Sequence, residues 1–571
     1  MGSIDNKVGD TDAPRAGVGA GNTSFSHVIC RPIMSALALT FLLVIAIARI
    51  ASTYHVFNLT IDEPAHIACG IEWLEKGVYR YETLHPPLAR VSVSIGPYLA
   101  GVRGTDAPTM WAEATRILSA RGSYWRNLML ARMGVLPYFI LATVVVFLWT
   151  KRLFGAPAGL IAAAVFTLMP TVLAHSGLAT TDMPFTALFC WALYSFTLWL
   201  RAPDWRTSAQ FGIAAGLALS AKFSTLVFLP ACATAIFVMY IAAGQRNWRA
   251  FARTGTVVVL CGFFVAWGAY RFSHEPLSQM TAGPERAAAK LFGKSSRMTG
   301  AVRRIASTVQ VPAPELYDGL RYLRQQNSNG RLASLFGRVT RGGWWYFFFV
   351  SVAVKTPLAV LLLAALGTVV LLFRYLRDRS DWESPAPLVA ALVVMVVTVP
   401  SRFNIGVRHV LPVFAFLSIL AAVGLVTLWQ RCQWRLISRA AAVLLFVWLA
   451  ISSVRSHPDY ISYFNEFGGS DPSRILVNSD LDWGQDLARL ATWLREHHIE
   501  QVGIEYGGVF DPDSLALPDV KEIKCGDAMP SGWIAMELFP TRLHPECYPW
   551  LPRQHLITKV GKTMSIYYVR P

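Results

Sequence analysis

Residues 34–57, MSALALTFLLVIAIARIASTYHVF, run directly into residues 58–66, NLTIDEPAH. The first stretch holds one acidic or basic residue, Arg49, and has the roughly 20 residues a helix needs to cross a bilayer. The second sets two adjacent carboxylates, Asp62 and Glu63, where the chain leaves the membrane. Ionisable groups near membrane depth are costly and are functional suspects by default. Ordinary interfacial charge or helix capping is the plainer account of any one of them. The two stretches together predict a chain that crosses the membrane and keeps its chemistry at the surface.

The composition agrees. Of 571 residues, 54% are hydrophobic and 15% charged, the mean hydropathy is +0.41, and soluble domains carry about 25% charged residues. The chain reads as an α-helical polytopic membrane protein. Its net charge of +17 is spread over many loops, with no reading domain for nucleic acid. Lipid head groups or an anionic substrate are the expected partners. Residues 1–30 are polar, lack the pattern of a signal peptide, and read as a disordered cytoplasmic tail.

Hydropathy predicts about eleven spans, near 31–53, 132–150, 157–174, 183–200, 208–221, 224–242, 254–271, 344–373, 386–400, 409–429 and 440–455. The eighth is interrupted at Lys355-Thr356-Pro357, where proline predicts a kink. Alternate short loops are basic: Lys151-Arg152, Arg201 with Arg206, the run Arg246 to Arg253, Arg374 to Arg379, and Arg431 to Arg439. The short loop from His175 to Asp182 has no Lys or Arg. The positive-inside rule puts the basic loops in the cytoplasm. The loops 54–131 and 272–343 and the tail 456–571 then lie outside. The membrane domain is expected over 31–455.

Within the first outer loop, residues 64–76 predict a short interfacial helix with Pro64 in its first turn. The second outer loop carries eleven Lys or Arg between Arg286 and Arg341 against four acids, a pattern that attraction to anionic lipid explains. The tail reads as a small extracytoplasmic α/β domain. NSDLDWGQDLARLATWLREHH predicts a turn and an amphipathic helix, with Asp482 as a capping residue three before Gln485. QVGIEYGGVF and HLITKVGKTMSIYYV predict strands. Cys525 and Cys547 are placed for a disulfide if the tail is extracytoplasmic. Asp480-Leu481-Asp482 matches the DxD of soluble nucleotide-sugar transferases, but a capped turn is the simpler account.

Polar residues cluster at the outer ends of the spans: Asp62 and Glu63; His85 and Arg90 in HPPLAR; Asp182 in TTDMPF; Lys222 between two spans; Arg408 at the start of the tenth; and Arg132 at the start of the second. Acids on one side of a cleft can deprotonate a nucleophile, and cations can hold a departing phosphate. NLTIDEPAHI, LHPPLAR and TTDMPF resemble motifs of the GT-C fold glycosyltransferases that use polyprenyl-phosphate sugars. The nearest resemblance is to the protein O-mannosyltransferases and the aminoarabinose transferases of lipid A, over roughly 31–455. HPPL is similar to the mannosyltransferase form, whereas the lipid A enzymes usually have lysine where His85 stands. The tail does not resemble the β-trefoil domain of eukaryotic protein O-mannosyltransferases.

The resemblance implies a hexosyltransferase, mannose favoured, acting with inversion on an acceptor hydroxyl of a protein, lipid or glycan at the outer face of a plasma (bacterial inner) membrane. It implies Asp62 as general base, Glu63 orienting Asp62 or the acceptor, Asp182 shaping the acceptor side, and Arg408, Lys222 and His85 binding the leaving phosphate, with Arg90 and Arg132 beside them. No metal is required in principle, and a divalent ion near the carboxylates stays open. The other readings are an aminoarabinose-type transferase and, in another class, a transporter or flippase for a lipid-linked sugar. A transporter should show internal repeats or paired broken helices; no repeat is visible. A subunit that keeps the fold without the chemistry is the third class.

Overall fold

The computed structural model describes residues 32–280, 283–293, 296–430 and 435–570; the expected tail 1–30 lies outside them. Among the described residues, eight helices are long and apolar enough to cross a membrane, or nine if the bent pair Ala156–Leu168 and Pro170–Ser176 is one span. The chain is thus multi-pass. The two other expected spans are shorter helices, Trp205–Ala221 with 17 residues and Ala386–Val397 with 12. The bend of 68° in the pair falls at Pro170, where the ring removes a backbone donor and clashes with the preceding turn.

The predicted break at Lys355-Thr356-Pro357 is present. One helix ends at Lys355 and the next runs Leu358–Arg377. Lys355 is buried at the break and donates to the carbonyls of Ile461, Tyr463 and Asp480 at 2.6, 2.6 and 2.5 Å. One ammonium therefore ties the helical bundle to the tail.

Helices Leu358–Arg377 and Pro412–Gln430 pack through glycine. A Cβ on Gly367 would lie 1.9 Å from the Leu420 carbonyl oxygen, and one on Gly424 would lie 2.1 Å from that of Leu363. Small residues let membrane helices approach backbone to backbone. Helix Asp182–Arg201 brings its first residue to the site. Its 20 residues span about 30 Å, with Asp182 at one end and Arg201, paired at 3.1 Å with Glu383, at the other.

The first loop helix forms at Glu63–Lys76 and stops at Gly77, whose φ of +65° suits glycine. It is buried from Glu63 through Trp73 and so differs from the interfacial helix expected. Helices Pro87–Leu99 and Met110–Ser119 cover it. Ser94 donates to the Ile67 carbonyl at 3.0 Å, and Gly70 leaves no room for a Cβ against Arg90.

The tail carries a five-stranded mixed sheet, in the order 519–522, 501–505, 532–537, 564–569, 556–560. The first three strands are parallel, and the last two complete an antiparallel edge. HLITKVGKTMSIYYV is thus a hairpin. Cys525 and Cys547 form a disulfide. The long tail helix starts at Leu487, after the one-turn helix Asn478–Leu481. Asp482 is therefore not its cap. The Asp482 carboxylate instead accepts from the amides of Gly484 at 3.1 Å and Phe539 at 2.7 Å.

Candidate active site

The two adjacent acids face different surroundings. Glu63 is fully buried. Its carboxylate takes two hydrogen bonds from Arg132, both at 2.9 Å, and further bonds from the amides of Ala179 at 2.8 Å and Thr60 at 2.7 Å. Burial alone would raise its pKa, but Arg132 and the two amides outweigh that and hold it below the usual value. Arg132 also donates to the carbonyls of Tyr54, Phe57 and Asn58. The pair ties the end of the first span to the helices that begin near 124 and 182.

Asp62 keeps 30% of its side chain exposed. It accepts from Arg408 at 2.5 Å. Arg408 lies 3.7 Å from Asp182, and Asp182 accepts from Lys222 at 2.6 Å. Acid, cation, acid and cation thus alternate across segments that are distant in sequence. Lys222 is the residue where helix Trp205–Ala221 gives way to the turn before Thr225–Ala242. Arg408 sits in a 3-10 turn, 407–410. Gly406, just before it, has φ +148°, and a Cβ there would lie 2.1 Å from the Ser479 hydroxyl.

The tail supplies one wall of the site. Asp480 accepts from the Val407 amide at 2.8 Å and so pins the turn that carries Arg408. The Arg408 guanidinium lies over the Trp483 indole. The Trp483 carbonyl accepts from the Ile61 amide at 3.0 Å. Asn58 donates to the Gly484 carbonyl at 2.8 Å and accepts from the Ala488 amide at 3.2 Å. Asp482 is hydrogen-bonded to Glu537. Burial pushes both carboxyls up, Asp482 to about 7.

These residues surround a cavity of about 880 Å³. Asp62, His66, His85, Lys222, Arg408, His409, Asp482 and Trp483 line its polar part, and Val227, Phe228 and Phe348 its apolar part. Arg324, Arg331 and Arg341 of the second loop reach it as exposed side chains.

The structure therefore brings together Asp62, Asp182, Lys222, Arg408 and His85. Burial, with Lys222 nearby, pushes His85 down to about 4, so it meets the cavity as a neutral ring and not as a cation. Glu63 and Arg132 lie behind the site, each engaged by the other. Arg90 is fully buried, paired with Glu82 and bonded to the carbonyls of Glu82 and His85. It shapes the HPPL turn without reaching the cavity. Sequence reasoning missed His66 and Trp483, and it read Asp480 as part of a capped turn, whereas its carboxylate holds the turn of Arg408. His66 stands four residues after Asp62, one helical turn on, which is a legible signal. Among the described residues, the group whose ligand atoms could share a metal is His544, Glu546 and Cys547, and Cys547 is in the disulfide.

Residues 129–268 match the family model for dolichyl-phosphate-mannose-protein mannosyltransferase. No curated protein matches the chain. Among solved structures, the chain is similar to ArnT from Cupriavidus metallidurans bound to undecaprenyl phosphate, at 14% identity over 92% of this chain and 97% of that one, with TM-score 0.46. It is similar to the archaeal oligosaccharyltransferase AglB from Archaeoglobus fulgidus, in complex with an inhibitory peptide and a dolichol-phosphate, at 13% identity over 90% and 72%, with TM-score 0.45. It also matches the S. cerevisiae Pmt1–Pmt2 complex bound to the sugar donor, at 16% identity over 41% and 32%, with TM-score 0.32. The family match falls on the segment that carries Arg132, Asp182 and Lys222.

Proposed function

We propose that the chain is a membrane glycosyltransferase that moves a hexose, mannose favoured, from a polyprenyl-phosphate donor to an acceptor hydroxyl on a protein, lipid or glycan. The observation that carries this reading is the half-open Asp62 carboxylate held by Arg408, which Asp182 joins to Lys222. An Asp62 oxygen takes the proton of the acceptor hydroxyl while that oxygen attacks the anomeric carbon. The bond from that carbon to the phosphate oxygen breaks, the configuration inverts, and the phosphate leaves with the bonding pair. Lys222 and Arg408 meet its charge. The arriving phosphate competes for Arg408 and so releases Asp62 as base.

The mixed lining supports a polar head on an apolar chain, with Phe228 and Phe348 beside Lys222 and Arg408. The two cations supply the charge a leaving monophosphate needs, and in this reading no metal is required. The basic short loops support a site on the outer face, in this reading that of a plasma (bacterial inner) membrane. The test is transfer from radiolabelled polyprenyl-phosphate mannose by purified protein, wild type beside Asp62→Asn, with a membrane extract as acceptor. A folded Asp62→Asn variant should lose at least about a hundredfold in rate. Equal rates would remove Asp62 from the mechanism.

A further inference from the structure

Four imidazoles line the cavity: His66, His85 and His409, and the exposed His544 of the tail. His66 and His85 meet edge to face with centroids 5.0 Å apart. Nδ1 of His66 and Nε2 of His409 are sealed from solvent and have no hydrogen-bond partner. A buried polar atom without a partner is costly, and such atoms in native proteins are normally satisfied by something. Burial holds the first three rings below the ordinary histidine value, so they are neutral near pH 7. A neutral imidazole offers one donor and one acceptor. A sugar hydroxyl needs both. A phosphate would need donors alone, and an ammonium acceptors alone.

The carboxylates that line the cavity are already engaged: Asp62 by Arg408, Glu82 by Arg90, and Asp482 by two amides and Glu537. A positively charged sugar would meet three exposed arginines at the mouth, and the one acid that the donor phosphate frees, Asp62, is committed to the acceptor proton. We propose that His66, His85 and His409 form the subsite that reads the hydroxyls of the donor sugar, and that this sugar is an uncharged hexose and not an amino sugar. The inference rests on the transferase reading and adds to it the residues that read the sugar and select against an amino sugar.

The test is displacement of radiolabelled undecaprenyl phosphate from the full-length protein in detergent. The competitors are the same lipid bare, or carrying mannose, glucose, galactose or an amino sugar. At least one hexose lipid should compete at about tenfold lower concentration than the bare lipid, and the amino-sugar lipid should gain nothing. His66→Ala and His409→Ala should remove that gain and leave bare-lipid binding unchanged, while His66→Gln, which keeps a donor and an acceptor, should retain part of it. A parallel loss of bare-lipid binding in His66→Ala would make the rings phosphate ligands or mere supports and overturn the inference. So would a wild type that favours the amino-sugar lipid, or no hexose lipid. A wild type that binds no lipid at all would overturn the transferase reading itself.

Discussion

The Arg408 guanidinium stacks on the Trp483 indole, with Cζ 4.3 Å from the ring centroid, while the same group holds Asp62 at 2.5 Å. A desolvated contact of this kind contributes about 2 kcal/mol. Trp483→Ala should therefore cut the transfer rate by about tenfold or more. Trp483→Phe should recover most of it, since a phenyl face still attracts the cation. The Ile61 bond to the Trp483 carbonyl survives both changes. Kinetics beside thermal stability in detergent check this. Equal rates for Ala and Phe would deny the ring a part in placing Arg408.

Glu63 and Asp62 should separate cleanly. Removing one partner of a buried ion pair costs about 3–5 kcal/mol, so Glu63→Gln should lower the unfolding temperature sharply. Asp62 is partly solvated, and when it is neutralised the buried Arg408 still has Asp182 at 3.7 Å. Asp62→Asn should unfold near the wild-type temperature although it loses transfer. If Glu63→Gln were as stable as wild type and inactive, Glu63 would have to act in the chemistry.

The buried carboxyl pair of the tail predicts a pH response. Asp482 is raised to about 7 by burial, and Glu537 is raised as well. Between pH 4 and 7 the folded tail therefore binds more protons than the unfolded chain. Its stability falls as pH rises through that window, because ionising the pair costs more in the fold than in water. Glu537→Gln takes one of the two protons out of the balance and should flatten the slope. Unfolding temperature against pH, for both proteins, measures it. A stability that rises from pH 4 to 7 in proportion would contradict the shared proton.

A chelator should leave transfer intact. On the proposed mechanism, in which Lys222 and Arg408 meet the leaving phosphate, dialysis against EDTA should change the rate by less than about twofold, whereas Lys222→Ala should lower it at least about tenfold. Loss of activity on chelation, restored by a divalent ion, would assign the charge neutralisation to a metal.

Much of this architecture was legible in the sequence. The apolar runs located the helices, Pro357 located the break, and the tail's Val, Ile and Tyr alternation located the edge hairpin. Asp62, Asp182, Lys222 and Arg408 were found because each interrupts an apolar context at the same end of a span. The roles of neighbours were harder to read. Glu63 and Asp62 are adjacent in sequence, and only packing decides which one turns inward to Arg132. Arg90 and Arg132 look like free cations until their partners Glu82 and Glu63 are seen. Trp483 belongs to a segment more than four hundred residues from Asp62, and no local pattern reports a contact of that range.

The Asn58 side chain, bonded to Gly484 and Ala488, has a consequence for biosynthesis. The ribosome makes the acidic loop more than four hundred residues before its wall. A nascent chain that has delivered every membrane helice up to 455 still has an unfinished loop, with Asn58 facing water. A fragment ending before residue 478 should insert normally and yet hold an open site that lacks its wall, so the site is assembled only once the tail is made.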